Sequence, residues 1–280
     1  MNRKSFYNST AFETSKLVAK RYSTSFSAAM SLLDEPVKTH LYNIYGYVRV
    51  ADELVDTLRP KNTKNQLTQF IEDTNQAIES GVSLNLTIHS FAITSKKYNI
   101  PRGYLDAFFT SMRMDQAKKR YSKKDYDKYI YGSAEVVGLM CLCVFTEGKR
   151  SLQNKTLEGA RSLGSAFQKV NFLRDMASDK AELGRVYFPK LEFNNFNEDI
   201  KTEIILEIRG ELKVAKEALK MLPRSSRYGV ILALNYYSSL LNKLEKTPAK
   251  EVRTTRIRIN NLYKTLIYMY VYSRKLLHTP

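Results

Sequence analysis

Apolar residues in this chain recur at three- and four-residue spacing almost throughout, and sustained period-two alternation is rare. That period stacks apolar side chains on one face of a helix, whereas a half-buried strand needs alternation. Punctuation agrees: 11 glycines and 7 prolines in 280 residues are too few for the frequent turns of an all-β chain. A helix is expected to begin near Asp34, Glu35 and Pro36, an acid followed by a proline suited to a first turn. It should run through Tyr45 and Arg49 to about Leu58, before Pro60. Further helices are expected over roughly 64–79, 85–97, 102–118, 123–147, 154–182, 198–221, 226–246 and 255–277. Breaks fall at Gly81, Pro101, Gly148, Gly184 with Pro189, Pro223 and Pro248. Connections are short except 183–197, which reads as an irregular loop. With no linker, low-complexity tract or internal repeat, one all-α domain over 1–280 is expected.

The longest apolar stretch, Val136 to Phe145, falls short of the roughly 18 residues a spanning helix needs and reads as a buried core helix. The opening MNRKSFYNST has basic residues but no apolar h-region, so no secretory signal is expected. Cys141 and Cys143 lie inside the apolar stretch, argue against a disulfide framework, and suit core packing better than metal binding. A soluble protein of the reducing cytoplasm is the expectation. The formal net charge is +17. Such a surplus asks for an anionic partner, and nucleic acid, an anionic membrane surface and a phosphorylated substrate all satisfy it. The cations are spread through Lys118, Lys119 and Arg120, Lys123 and Lys124, and Arg253 to Arg258, so charge alone does not choose.

Two acidic regions carry candidate chemistry. In Asp52-Glu53-Leu54-Val55-Asp56 the aspartates stand four residues apart, on one helix face. Like charges at that spacing cost a helix about 0.2–0.5 kcal/mol, a repulsion that a divalent cation reverses. Alone, the pattern is also that of a wet helix face. The second region is more specific. Asn171, Asp175 and Asp179 follow at four-residue intervals, a stripe of oxygen ligands beside Val170, Phe172 and Leu173, with Arg174 next to Asp175. Mg²⁺ takes hard oxygen ligands from a few carboxylates and completes its shell with water and phosphate oxygens. Two such stripes facing each other across a cavity would dock diphosphate groups.

VRVADELVD and NFLRDMASDKAELGRVYFP resemble the two signature regions of the squalene/phytoene synthase family. The similarity extends to Tyr22-Ser23-Thr24-Ser25-Phe26, to Tyr129 through Gly138, and to Tyr237 through Leu241, in family order from about residue 20 to 260. The resemblance implies an isoprenoid-synthase-type helical bundle around a central cavity. It also implies a prenyltransferase of carotenoid biosynthesis that joins two geranylgeranyl diphosphates head to head into phytoene. The rival within the family joins two farnesyl diphosphates into dehydrosqualene or squalene.

Residue by residue, the resemblance implies that Asp52 and Asp56 hold Mg²⁺, or Mn²⁺ in its place, at one diphosphate. Asn171, Asp175 and Asp179 would do so at the other. Arg49, Arg174 and Arg185 would neutralise diphosphate oxygens, where a planar fork suits the geometry. Ser23 and Tyr187 would add hydrogen bonds, Gln168 would contact substrate, and Arg256 would cap the site, with Arg253 and Arg258 as alternatives. Phe26, Tyr45, Tyr129 and Tyr237 would surround the reacting carbons, because aromatic faces stabilise a cation without trapping it. Ser133, Ala134, Val137 and Gly138 match the family's small tunnel residues and would line space for the prenyl tails. Glu135 stands where the family commonly has a glycine.

Other classes fit less well. A basic helical nucleic-acid-binding protein would explain the charge but not two acid stripes at metal spacing, so no nucleic acid is expected. Greasy substrates and product instead favour peripheral contact with an anionic membrane. Chain-elongating and cyclising prenyl enzymes typically show DDxxD, and neither acidic region begins with paired aspartates. His40, His89 and His278 suggest no metal site or triad, and no G-x-G-x-x-G, Walker A or G-x-S-x-G motif occurs. The two-step squalene enzymes that consume NADPH carry a longer C-terminal region, so no nicotinamide cofactor is expected.

Overall fold

The computed structural model describes residues 2–58, 62–117, 120–189 and 195–277. Pro60, Lys118, Lys119 and His278, and part of the expected 183–197 loop, lie outside the described residues. Two helices precede the first one expected. α1 (Arg3–Tyr22) buries Ala11, Ser15 and Ala19, small side chains spaced by four that let backbones approach. α3 (Val37–Glu53) meets it there: a Cβ on Gly46 would stand 2.9 Å from the Ser15 Cα. Between them lies α2 (Thr24–Ser31), capped by the Ser23 hydroxyl, which accepts from the Phe26 N–H at 3.0 Å.

α4 (Thr63–Ser80), α5 (Leu86–Tyr98) and α6 (Arg102–Ala117) close around α3. Tyr47 of α3 is fully buried there, its ring 3.9 Å from Phe91 and 5.3 Å from Phe70. α7 (Lys123–Ile130) and α8 (Val136–Phe145) run on as one rod. By length and composition this rod could cross a membrane, yet Val136, Met140 and Val144 are fully buried among neighbouring helices. α9 (Arg150–Ser178) packs against α8 and against α10 (Glu198–Leu219) and α11 (Arg224–Lys246). The short α12 (Ala249–Val252) and α13 (Asn261–Leu276) complete the order. Among the described residues there is no strand, only an isolated parallel bridge between Arg120 and Val186. The fold is all-α.

The last helix starts at Asn261 rather than near 255, where Asn260 caps it by accepting from the Tyr263 N–H at 2.7 Å; Arg256 to Asn260 are not helical. Three π-helical turns, Leu54–Leu58, Tyr131–Glu135 and Asp179–Leu183, extend α3, join α7 to α8 and extend α9. Such turns are rare and concentrate at functional sites. They hold Asp56, Ser133 with Ala134, and Asp179, so the rule that four residues make one helical face lapses at the end of each acid stripe.

Candidate active site

A cavity of about 920 Å³ runs between α2, α3, α8, α9, α10 and α11. Its lining on α9 reaches from Thr156 to Asp175, about 28 Å of helix. One end gathers Arg49, Asp52, Asn171, Arg174, Asp175 and Arg256; the far end is walled by Phe145, Ala218, Leu219 and Leu222. Ser23, Phe26, Tyr45, Gln168 and Tyr237 stand in the wall between, as do Ser133, Ala134, Val137 and Gly138. Close packing explains the glycine among them. A Cβ on Gly138 would lie 2.7 Å from the Ala160 carbonyl oxygen, and one on Gly164 2.6 Å from that of Ala134. Gly138 does face the cavity, but what its missing side chain makes room for is the backbone of α9.

At the charged end each acid has a cationic neighbour within the protein. Asp175 accepts from Arg174 through Nε at 3.0 Å and Nη2 at 2.5 Å, and pairs with Arg256 Nε at 2.7 Å. Arg49 pairs with Glu53 and lies 4.6 Å above the Tyr22 ring. Burial, with Asp56 adding to it, pushes the Asp52 carboxyl up to about 8. Aromatic rings sit beside these charges: Tyr237 stacks on Phe167 at 3.8 Å, and Phe26 lies 5.8 Å from Tyr237 and 5.9 Å from Tyr45. The Tyr237 hydroxyl donates to Asn171 Oδ1 at 3.2 Å. Tyr45 shares a hydrogen bond with Ser23, and burial holds its phenol up to about 12.

Behind this end lies a second cluster that the cavity does not reach. Arg185 donates to Asp56 Oδ1 at 2.8 Å, to the Tyr187 hydroxyl at 3.2 Å and to the Asp115 carbonyl at 2.6 Å, and pairs with the Asp115 carboxylate at 3.2 Å. Tyr129 donates to the other Asp115 oxygen at 2.9 Å and Tyr121 adds a 3.4 Å contact. Burial pushes Asp115 up to about 7 against the pull of Arg185. Tyr129, 5% exposed, is thus a buried support of the Asp115–Arg185 pair rather than a cavity wall beside reacting carbons, and the hydroxyl of Tyr187, 7% exposed, accepts from Arg185 rather than facing the cavity. Gly184, in the left-handed region at φ 66°, turns the chain so that the Arg185 N–H donates back to the Asp179 carbonyl at 3.1 Å. Sequence reasoning missed Asp115, which reads as a lone acid on an amphipathic helix. It also missed Phe167, one turn before Asn171 on the same stripe.

The two acid stripes converge. Burial and the charges of Asp175 and Asp56 together push Asp179 up to about 7. Among the described residues no group of three or more His, Cys, Asp or Glu side chains is gathered tightly enough to cage an ion alone. The donors nevertheless fit Mg²⁺, which needs only one or two carboxylates and takes its other ligands from water and phosphate. Crowded carboxylates whose protons are held unusually firmly are the environment a divalent cation relieves.

The squalene/phytoene synthase family profile matches residues 19–263. The chain belongs to that family. It is 26% identical over 255 residues to phytoene synthase 3, chloroplastic, of Zea mays, covering 84% of this chain and 59% of the relative. With 4,4'-diapophytoene synthase of Staphylococcus haemolyticus it shares 26% over 195 residues, 67% of this chain and 65% of that one. It therefore spans less than two thirds of either relative's length. A crystal structure of a dehydrosqualene synthase in complex with ligand matches with a TM-score of 0.79 and 21% identity, covering 95% of this chain and 96% of the other. The fold is the isoprenoid-synthase one. Glu135, the departure from the family's usual glycine, turns away from the cavity and receives a 2.7 Å hydrogen bond from Arg161 Nε. Of the three candidate capping arginines, Arg256 reaches Asp175, Arg258 also lines the cavity and Arg253 does not. His40 is a buried packing residue bonded to Thr94 at 2.9 Å, with burial pushing its pKa down to about 4.

Proposed function

We propose that this protein joins two allylic isoprenoid diphosphates head to head, with two geranylgeranyl diphosphates giving phytoene. The observation that carries the reading is the division of the cavity into a charged end and a long apolar end. A molecule with a diphosphate head and a hydrocarbon tail matches it part for part. Asp52 at the cavity wall, with Asp56 behind it, would hold Mg²⁺ at one diphosphate, and Asn171 and Asp175, with Asp179 behind them, would do so at the other. Bound there, the ions supply positive charge that stabilises the departing diphosphate. Arg49, Arg174 and Arg256 face the same end and would trade carboxylate partners for diphosphate oxygens, which a guanidinium fork binds well.

The allylic C–O bond of one substrate breaks and its electrons leave with diphosphate. The double bond of the second substrate attacks the resulting cation, and proton loss closes a cyclopropyl diphosphate. A second ionisation, rearrangement and proton loss yield a linear, unreduced triene. Phe26, Tyr45, Phe167 and Tyr237 offer ring faces to these cations. Tyr45 keeps its proton far above neutrality, so it presents a ring and a hydroxyl rather than a phenolate that would capture the cation. Apolar walls exclude quenching water. The 4,4'-diapophytoene synthase relative supports a second reading, two farnesyl diphosphates giving the thirty-carbon product. Both substrates offered together, with and without chelator, and the hydrocarbons separated by mass, decide between them. Mainly forty-carbon product is expected; mainly thirty-carbon product replaces the first reading with the second, and no diphosphate release sinks both.

A further inference from the structure

α13 departs from the rule that a surface helix turns its apolar stripe inward. Of its 16 residues only Val271 is buried. Its outward face is apolar instead: Leu262, Leu266, Met269, Tyr270, Leu276 and the adjoining Leu277 are each 56% to 72% exposed. Their spacing gathers them along one side of the helix. A contiguous apolar face of this kind marks an interaction surface. From Val252 to Leu277 there is no Asp or Glu, while Arg253, Arg256, Arg258, Lys264, Arg274 and Lys275 carry six positive charges. The segment leading into α13, from Arg256 to Ile259, and then Asn261 and Lys264, line the cavity at its charged end.

We infer that α13 lies flat on an anionic lipid bilayer, its apolar face in the headgroup boundary and the acid-free, positively charged segment around it drawn to lipid phosphates, holding the cavity entrance at the membrane. An amphipathic helix with a basic flank binds in this way, through buried apolar area and attraction to anionic lipid together. Tyr263, Tyr270 and Tyr272 suit that depth, with an apolar ring and a wet hydroxyl. A second copy of the chain fits the face poorly, because pairing it would bring together two segments that carry basic residues and no acid. The purpose of such docking rests on the proposed prenyl substrates; its test does not.

The probe is vesicles of equimolar phosphatidylcholine and phosphatidylglycerol, with pure phosphatidylcholine as reference. Co-sedimentation should show binding to the anionic vesicles that fades as salt rises. The double substitution Leu266→Ser and Met269→Ser leaves every charge in place. It should weaken that binding roughly tenfold, without changing the melting temperature, since both side chains are exposed. The chain has no tryptophan, so Met269→Trp installs a single reporter whose emission should shift to the blue on vesicles and be quenched by bromine on the acyl chains. Undiminished binding of the double variant, or an unmoved emission, overturns the inference. So does a dimer of the parent that the double variant loses, for then a second copy covers the face. Condensation of detergent-dispersed substrates should be equal in parent and double variant. A parent that binds vesicles yet condenses nothing leaves the docking intact and overturns the proposed function instead.

Discussion

At Asp52, stability and chemistry pull in opposite directions. Burial and Asp56 raise its carboxyl from 3.8 to about 8, so the folded chain holds this proton more tightly than the unfolded chain does. The stability it contributes is complete below the unfolded value and is lost as pH rises through the folded one. Asp52→Asn keeps the shape and removes the charge. In chelator, that variant should melt well above the parent at about pH 8 and by much less at about pH 5, the gap closing only toward the unfolded value of 3.8. Its diphosphate release should vanish all the same. Thermal circular dichroism at the two pH values, beside a release assay, checks both halves; an unchanged turnover removes Asp52 from the site. Asp115 was not legible, because its burial comes from Tyr121, Tyr129 and Arg185, which only the fold brings to it. Asp115→Ala strips Arg185 of a buried carboxylate and should cost about 3 kcal/mol in denaturant unfolding. Phe167 was within reach of the sequence, since counting back one turn from Asn171 arrives at it.

Among the elements, periodicity located the helices from α3 to α11 to within a few residues, because each buries a stripe of large apolar side chains. It failed for α1, whose buried residues Ala11, Ser15 and Ala19 are small and carry almost no hydrophobic signal. It ran α13 back through the non-helical residues from Arg256 to Asn260, where alternating Arg and Ile imitate neither period for long. Two glycines with opposite surroundings test the packing of α8 on α9. Gly138→Ala drives a Cβ against the Ala160 carbonyl and should destabilise by about 1–3 kcal/mol. Gly210→Ala, in the interior of α10 with open space around it, should stabilise by up to about 1 kcal/mol. Urea midpoints of the two variants must move in opposite directions; movement in the same direction would mean that helix propensity outweighs the close contact.

For the molecule as a whole, the order of matching segments and the acid stripes pointed to the bundle and its cavity. The depth of that cavity was invisible, since it depends on how Phe145 meets Leu219 and Leu222 from a distant part of the chain. On the proposed function, that depth sets tail length. A five-carbon unit adds several methylenes at about 0.8 kcal/mol each, so Val137→Phe should shift the competition between geranylgeranyl and farnesyl diphosphate about tenfold toward the shorter. Phe145→Ala should shift it the other way. Equal product ratios in parent and variants would place the tails elsewhere. The three wide turns reach beyond chemistry. Removing one residue from a regular helix rotates everything beyond the gap by about 100°, which would tear this bundle apart. A π turn, though, is one residue longer than an α turn covering the same stretch, so losing Ser133 would tighten Tyr131–Glu135 to α pitch and leave α7 and α8 in phase. In a scan of single deletions, the segments that bear the chemistry should therefore be the helical places where this chain shortens, stays folded and falls silent.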